Sequence, residues 1–569
     1  MDYFTEDGVI LRTGFSSKRD WFLLCIREVL DNSADVLTRN YKGTSDTVIT
    51  TEIFKDDKFF HLKIRNSNYN NLPVFDNKEA TFDYEQRYGS KQDLHIINRG
   101  MLGDAMKQIR AFGYILIHLH DDGTSFEDKQ WEQPLIIRHN KKEYKIFLTV
   151  DKAMQTAINR IEESAEESTD TSTEIEFTLP IPEDIKGDLT RTYIEEFCKK
   201  YPIFTTDITF RFEITDNSSP SQSITHTVGP VNKDETLAES MLNAIGSESP
   251  RATIKIEYDA LHPISTESWN KQNSIHSYNP EEFKRRIVNI DRKQAGGIRI
   301  YDLLQTYREG SNLKKTPEYE ITVADLLALP EQKRNQRIAG FYKQLKAALP
   351  PPEKLILPYT SNKEERKNAL IARVNRLYSN LDQDESKASY KAIHARYEDE
   401  KISYPYFFEI LAIPFKDPRT AYNNVVFIGA VNYSVSPKEN SNIFEGDYTD
   451  YIYDVDSYSK TKDILGVLNA YGFHNYAVDT AKIPCLIVVN LVTPRREPHG
   501  QDKSRIDITP FAGTIVQGVK RIASDIKSYR ALGIHFSTPK DRRDADYIPS
   551  GRGKLEGLLT NYLVKNHGL

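Results

Sequence analysis

The sequence predicts an α+β, multidomain protein. Three observations carry that expectation. Its 569 residues exceed what one undivided core holds, since domains run to about 100–200 residues. Its apolar residues switch between helical spacing and period-two alternation. Strand-like runs also fall in two blocks, one before about residue 215 and one after about residue 401, with a mostly helical stretch between. At 39% hydrophobic and 11% aromatic residues, the chain has the material for packed cores, which excludes a disordered protein.

The elements follow in order. Asp20–Leu37 has apolar residues at helical spacing and predicts the first long helix. Thr47–Phe54 and Phe59–Arg65 read as a hairpin broken by Lys55-Asp56-Asp57-Lys58. A loop from Tyr88 to Arg99 leads through Gly100 and Gly103 into a further helix. Strands are expected at Tyr114–His120, Leu135–His139, Glu143–Val150 and Glu174–Thr178, and Glu162–Thr173 reads as an acidic surface loop. A helix near Gly187–Lys200 and a strand near Asp207–Ile214 close this block. Asn279–Leu377 is mostly helical. Strands return at Tyr406–Ile413, Asn424–Val431 and Pro484–Val492, with helices near Ser459–Tyr471 and Pro510–Leu532, and a short helix at Gly553–Lys565.

Several classes drop out. No apolar run is long enough to span a bilayer, so no membrane partner is expected. MDYFTEDGVILRTGF carries acids and no apolar signal-peptide core. The three cysteines, Cys25, Cys198 and Cys485, are too far apart for a disulfide scaffold or zinc finger and fit a reducing setting, cytoplasmic and compatible with the nucleoid. The net charge of -6 restricts any nucleic-acid contact to a local patch or a partner.

Glu28, Asn32 and Asp35 recur at i, i+4 and i+7 and therefore share one helix face. One reading is the solvated side of an amphipathic helix. The other is a nucleotide–metal site, in which a carboxylate aligns water and an amide oxygen binds a hard cation that also holds phosphates. Downstream, Gly89-Ser90-Lys91 precedes Arg99-Gly100-Met101-Leu102-Gly103-Asp104. Glycines let backbone N–H groups approach phosphates, and a helix start adds positive potential. For Gly100 and Gly103 the alternative is tight packing at a helix entry.

The string Glu28-x-x-Asp31-Asn32-x-x-Asp35 resembles the N-box of the GHKL ATPases, and the glycine segment resembles their ATP lid, most closely that of topoisomerase VI B and its relatives. The resemblance implies an N-terminal Bergerat-type α/β sandwich, with ATP and Mg2+ as cofactors. It implies that Glu28 is catalytic and polarises the attacking water, that Asn32 is the metal ligand, and that Asp31 and Asp35 belong to the cofactor site. Lys91, Arg99, Gly100, Met101, Leu102, Gly103 and Asp104 are implied to hold phosphates. These proteins place Asp-x-Gly after the second strand, the Asp accepting from the adenine amino group; here Leu62-Lys63-Ile64-Arg65-Asn66 has neither, and Asn66 is either the acceptor of that hydrogen bond through its amide oxygen or a loop residue. Thr173 is the matching hydroxyl at the start of a later strand, or an ordinary strand residue.

In the far half, Ile487–Pro494 followed by His499-Gly500-Gln501-Asp502-Lys503 is similar to the transducer of topoisomerase VI B. Lys503 is implied to couple the γ-phosphate to that domain; a solvated loop lysine is the alternative. Residues 331–377 hold 11 basic and 4 acidic residues, read either as a solvated helical surface or as a duplex-DNA backbone patch. The organisation expected is 1–215 ATPase domain, 216–400 helical linking region, 401–535 transducer-like α/β domain and 536–569 tail. The function implied is an ATP-hydrolysing clamp component of a type IIB topoisomerase-like complex. It would dimerise with a second copy of itself and work with a topoisomerase VI A-like DNA-cleaving subunit. The alternative is a MORC- or chaperone-like ATP-gated clamp without topoisomerase activity.

Overall fold

A computed structural model describes residues 4–40, 47–67, 95–99, 105–118, 133–139, 141–151, 156–165, 172–217, 227–228, 252–264, 273–290, 295–357, 362–378, 383–415, 426–437, 442–448, 451, 463–471, 473, 485–496, 498–499 and 502–526. The fold class is α+β, with two large sheets and a helical unit between them in sequence.

The chain opens with helices α1 (Glu6–Thr13) and α2 (Lys18–Asn40), then strands β1 (Val48–Lys55) and β2 (Phe59–Asn66). These strands form the expected hairpin, Ile49 opposite Asn66 and Lys55 opposite Phe60. Helix α3 (Ala105–His118) follows where a strand was expected from Tyr114. The run YILIH looks strand-like alone, but Ile109, Phe112, Ile115 and Leu116 continue one buried helical stripe, and Phe112 stacks on Trp21 at 5.4 Å. His118 is thus helical, and His120 lies outside the described residues. Strands β3 (Leu135–His139), β4 (Lys142–Asp151), β5 (Thr156–Ala165) and β6 (Thr173–Pro180) come next, then α4 (Arg191–Lys200) and β7 (Thr209–Asp216). The acidic run from Glu162 begins as the end of β5 rather than as a loop: its side chains tolerate an outer strand of the sheet because one face stays wet.

The first sheet does not stop at 215. Strand β8 (Thr227–Val228) and strand β9 (Ala252–Tyr258) extend it to nine strands, ordered β5-β4-β3-β6-β2-β1-β7-β9-β8. A polar stretch with turn-like composition at 216–223 hid this continuation in the sequence. Neighbours are antiparallel except β1–β7 and β8–β9, which are parallel. One face alternates buried residues such as Ile53, Leu62, Phe177 and Phe212, and it packs beneath α2, α3 and α4. The opposite face carries ion pairs, among them Arg138 with Glu143 and Glu176, and Lys63 with Glu174. Burial of one face only is why these strands alternate so cleanly.

A helical unit with its own core follows: α5 (Pro280–Val288), α6 (Ile300–Leu304), α7 (Val323–Ala328) and α8 (Glu331–Ala348). Helix α9 (Lys363–Leu377) then leads to the second sheet, which starts earlier than expected with β10 (Ser389–Glu398). It continues with β11 (Ser403–Pro414), β12 (Val426–Val431) and β13 (Ser434–Val435), helix α10 (Ile464–Ala470), β14 (Cys485–Val492), the small β15 (Pro498–His499) and β16 (Asp502–Ile506) pair, and α11 (Ala512–Ile526). The order is β10-β11-β14-β12-β13. Strands β11 and β14 are buried at every position because both faces are covered. On one side Phe408, Ile410, Ile487 and Val489 meet α10 and α11. A Cβ at Gly518 of α11 would fall 2.5 Å from the Phe408 ring, so this close approach requires glycine. On the other side Leu411, Ile413 and Val488 pack with α9 and with Ile203 and Phe204 of the N-terminal unit. The 553–565 helix lies outside the described residues.

The basic run of 331–377 divides in the structure. Arg366 and Arg373 are buried, contrary to both a solvated surface and a phosphate patch. Arg366 pairs with Glu409 in two hydrogen bonds, of 2.7 and 3.0 Å, and also donates to Thr206 and to the Phe204 carbonyl. Arg373 and Arg376 donate to backbone carbonyls of Asp259 and Glu257. These arginines dock α9 onto the N-terminal unit. Lys333, Arg337 and Lys343 of α8 remain exposed.

Candidate functional site

Helix α2 is sunk in the core almost all round, with Trp21, Phe22, Ile26, Val29, Leu30 and Leu37 fully buried. Its polar stripe is split. Glu28 and Asn32 are half-buried, whereas Asp31 and Asp35 are buried completely. A charge in such a place needs partners, and each aspartate has them. Asp31 accepts from the Tyr201 hydroxyl at 2.8 Å and from Ser434 at 2.7 Å. Asp35 accepts from the backbone N–H of Arg99 at 3.1 and 3.2 Å and from its guanidinium at 3.3 Å. Arg99 also reaches Thr38 and Thr205 and sits 5.5 Å from the Tyr433 ring centre. The structure therefore brings Asp35 and Arg99 together as a buried pair.

Glu28 accepts a 2.5 Å hydrogen bond from Arg27, whose Nε lies 4.0 Å from Asp31. Burial opposes the Arg27 charge, but Glu28 and Asp31 outweigh it and raise its pKa. The second sheet closes over this region. Arg496 donates to the Arg99 carbonyl at 3.1 Å. Burial pulls Arg496 down to about 10 against the opposing pull of Asp35 and Asp31. The side chain of Asn432 bridges the Asn98 and Thr493 carbonyls, both at 3.0 Å. Asn432 and Tyr433 form the two-residue turn between β12 and β13 with φ of 52° and 71°. Such a hairpin turn favours Asn, but a bulky residue such as Tyr adopts that backbone only at a cost. Here the cost is offset by the contacts of both side chains on the N-terminal unit. A cavity of about 10 Å³ lies between Asp35, Thr38, Arg39, Ile97, Arg99, Asn432 and Tyr433. It has room for a single water, whereas ligand pockets measure about 300–1,000 Å³.

Burial pushes the Asp31 carboxyl up to about 7, with Glu28 adding to the rise and Arg27, Ser434 and Tyr201 opposing it. Between pH ~4 and ~7 the folded protein thus keeps a proton that the unfolded chain has released. The contribution of Asp31 to stability falls as pH rises through that window and is flat above it. Asp31→Asn, neutral throughout, is expected to lose less stability than wild type between pH ~5 and ~8. Thermal melts at the two pH values check this, and parallel shifts for both proteins would contradict it.

At the end of the first sheet, the structure brings Asn66 and Thr173 together. They face each other across β2 and β6, and the Thr173 N–H donates to Asn66 Oδ1 at 3.1 Å. The Thr173 hydroxyl shares a 2.8 Å hydrogen bond with His139 Nδ1. His139 was not singled out from sequence, although the alternation Leu135, Ile137, His139 places it on the same buried face. Lys91 and Gly100, Met101, Leu102, Gly103 and Asp104 lie outside the described residues. Lys503 lies on β16, opposite β15, and its side chain is outside what is described.

Among the described residues no group of three or more His, Cys, Asp or Glu gathers to hold a metal. A Mg2+ that arrives with phosphates needs only one or two protein oxygens, because waters and phosphates complete its shell. The Asn32 amide oxygen and the Glu28 carboxylate, one turn apart, are donors of the right kind. No described helix is long and apolar enough to cross a membrane.

No protein-family model matches the chain, and no curated protein matches it in sequence. Among solved structures it is similar to the 43K ATPase domain of Thermus thermophilus gyrase B in complex with an aminocoumarin. That match has 11% identity, covers 89% of this chain and 88% of that one, and has a TM-score of 0.31. It is also similar to the B-subunit of the DNA gyrase from Myxococcus xanthus, at 8% identity, 90% and 92% coverage and a TM-score of 0.33. Likenesses this loose say nothing about which residues act.

Proposed function

We propose that this chain is an ATP-binding and hydrolysing clamp protein of the GHKL type. The observation that carries the reading is the split stripe of α2. Within a largely buried helix, the acid and amide matching the catalytic and metal-binding positions of the N-box, Glu28 and Asn32, are half-buried, whereas Asp31 and Asp35 of the same stripe are buried. The Asn66–Thr173 pair at the end of the sheet supports it, since both are residues the resemblance puts in the cofactor site. In this reading Glu28 orients the attacking water and Asn32 is the protein ligand of Mg2+, which when bound neutralises phosphate charge. The amides of Gly100–Asp104 with Lys91 would hold the phosphates, Arg99 braces the helix through Asp35 together with Asp31 rather than reaching the phosphates, and Lys503 would report the γ-phosphate to the second sheet. Nucleotide binding closes two copies into a dimer around duplex DNA for a topoisomerase VI A-like cleaving subunit.

The second reading is an ATP-gated clamp of MORC or chaperone type without topoisomerase activity. The burial of Arg366 and Arg373 favours it, because it removes two cations from the 331–377 basic run and weakens that run as a phosphate-contacting surface. The test is magnesium-dependent ATP binding and turnover by the full chain, with and without supercoiled DNA. Asn32→Ala is expected to weaken magnesium–nucleotide binding by roughly tenfold or more, the loss that removing a metal-site residue brings. Wild type that neither binds nor hydrolyses ATP would overturn both readings. Turnover indifferent to DNA would favour the second.

A further inference from the structure

A chain of contacts runs from the second sheet to Glu28. Ser434, the first residue of β13, donates to Asp31 Oδ2 at 2.7 Å. The same oxygen lies 4.0 Å from Arg27 Nε, and Arg27 Nη2 donates to Glu28 Oε1 at 2.5 Å. Asp31 is pinned from its other oxygen by Tyr201. Ser434 is delivered by the Asn432–Tyr433 turn, which is itself tied to Asn98, Thr493 and Asn490. Ser434 is buried, and the turn that presents it holds Tyr433 at φ 71°, a backbone that a bulky residue adopts only at a cost.

We propose that Ser434 is a positioning residue for Glu28, acting through Asp31 and Arg27. This rests on the role given to Glu28 above. Arg27 is a long side chain with many rotamers. Asp31, fixed by Ser434 and Tyr201, draws its Nε end toward one place. Arg27 then grips one oxygen of Glu28, which orients the other. Loss of the Ser434 hydroxyl loosens Asp31, then Arg27, then the carboxylate. Misplacement of a catalytic group on this scale lowers turnover without weakening ground-state binding. The second sheet would thereby set whether Glu28 is aligned.

The experiment uses the full chain with Mg2+ and ATP. Ser434→Ala is expected to lower kcat roughly tenfold while KM and nucleotide affinity stay within about twofold, and Ser434→Thr, which restores a hydroxyl, is expected to recover most of the loss. In single turnovers, Ser434→Ala added to Glu28→Gln is expected to have no further effect, because the group it positions is gone. A merely structural role would instead move KM and persist in the double variant. An unchanged kcat in Ser434→Ala, or a loss undiminished in the Glu28→Gln background, overturns the inference and leaves the proposed function intact. Wild type without ATP turnover overturns both.

Discussion

Replacing Arg366 by alanine is expected to destabilise the protein by about 3–5 kcal/mol, the cost of stranding one member of a buried ion pair. Glu409 would keep the Asn490 and Tyr390 donors but lose its cationic partner, in the middle of a strand covered on both faces. Thr206 and the Phe204 carbonyl would lose their donor too. Burial alone would push the Glu409 carboxyl up, but Arg366 and the hydrogen bonds around it outweigh burial and hold it below the ordinary glutamate value. The stabilisation is therefore present above the unfolded pKa of about 4.3 and is lost as pH falls through the folded one. Since Arg366 joins α9 to the second sheet and to the connection leading into β7 of the first, urea unfolding of Arg366→Ala should also separate into two transitions where wild type shows more concerted loss. Arg366→Lys should fall short of rescue, because an ammonium cannot make the paired contact. A shift under about 1 kcal/mol would mean that the pair contributes no more than a surface bridge.

The second large effect concerns chemistry. Glu28→Gln is expected to reduce ATP turnover by about 10²–10⁴-fold, the contribution typical of a positioned acid or base, while leaving nucleotide binding close to wild type. Glutamine keeps the size and the hydrogen bond from Arg27 but cannot draw a proton from water. Equal turnover in the two proteins would remove Glu28 from its proposed role. Loss of binding together with turnover would point to a binding role for Glu28 instead.

Much of the fold was legible because single-face burial imprints itself on sequence. The β1–β2 hairpin, α2, the helical middle and the two apolar strands β11 and β14 are all where period and turn residues put them. What was missed had a local pattern that tertiary packing overrode. YILIH alternates in hydrophobicity too little to separate strand from helix, and stacking on Trp21 decides for helix. Strand β9 lies beyond a long polar stretch, and only its pairing with β7 marks it as part of the first sheet. In the site, the stripe of Glu28, Asp31, Asn32 and Asp35 was visible at once. That Asp31 and Asp35 turn inward was not, because their partners Tyr201, Ser434 and Arg99 are remote in sequence, up to 403 residues away. The same holds for Arg366 and Arg373: a run of like charge reads as surface until their carboxylate and carbonyl partners are known.

The parallel pairing of β1 with β7 has a consequence for synthesis. Val48 meets Thr209 across about 160 intervening residues. At ~5–20 residues per second of translation, β1 leaves the ribosome roughly 8–30 s before its neighbour exists. During that interval the β1 edge of the newborn hairpin exposes a row of unsatisfied amides and carbonyls, the kind of template on which nascent chains mispair. The sheet under α2 gains β7 only after residue 216 has emerged, so this unit matures late on the polysome.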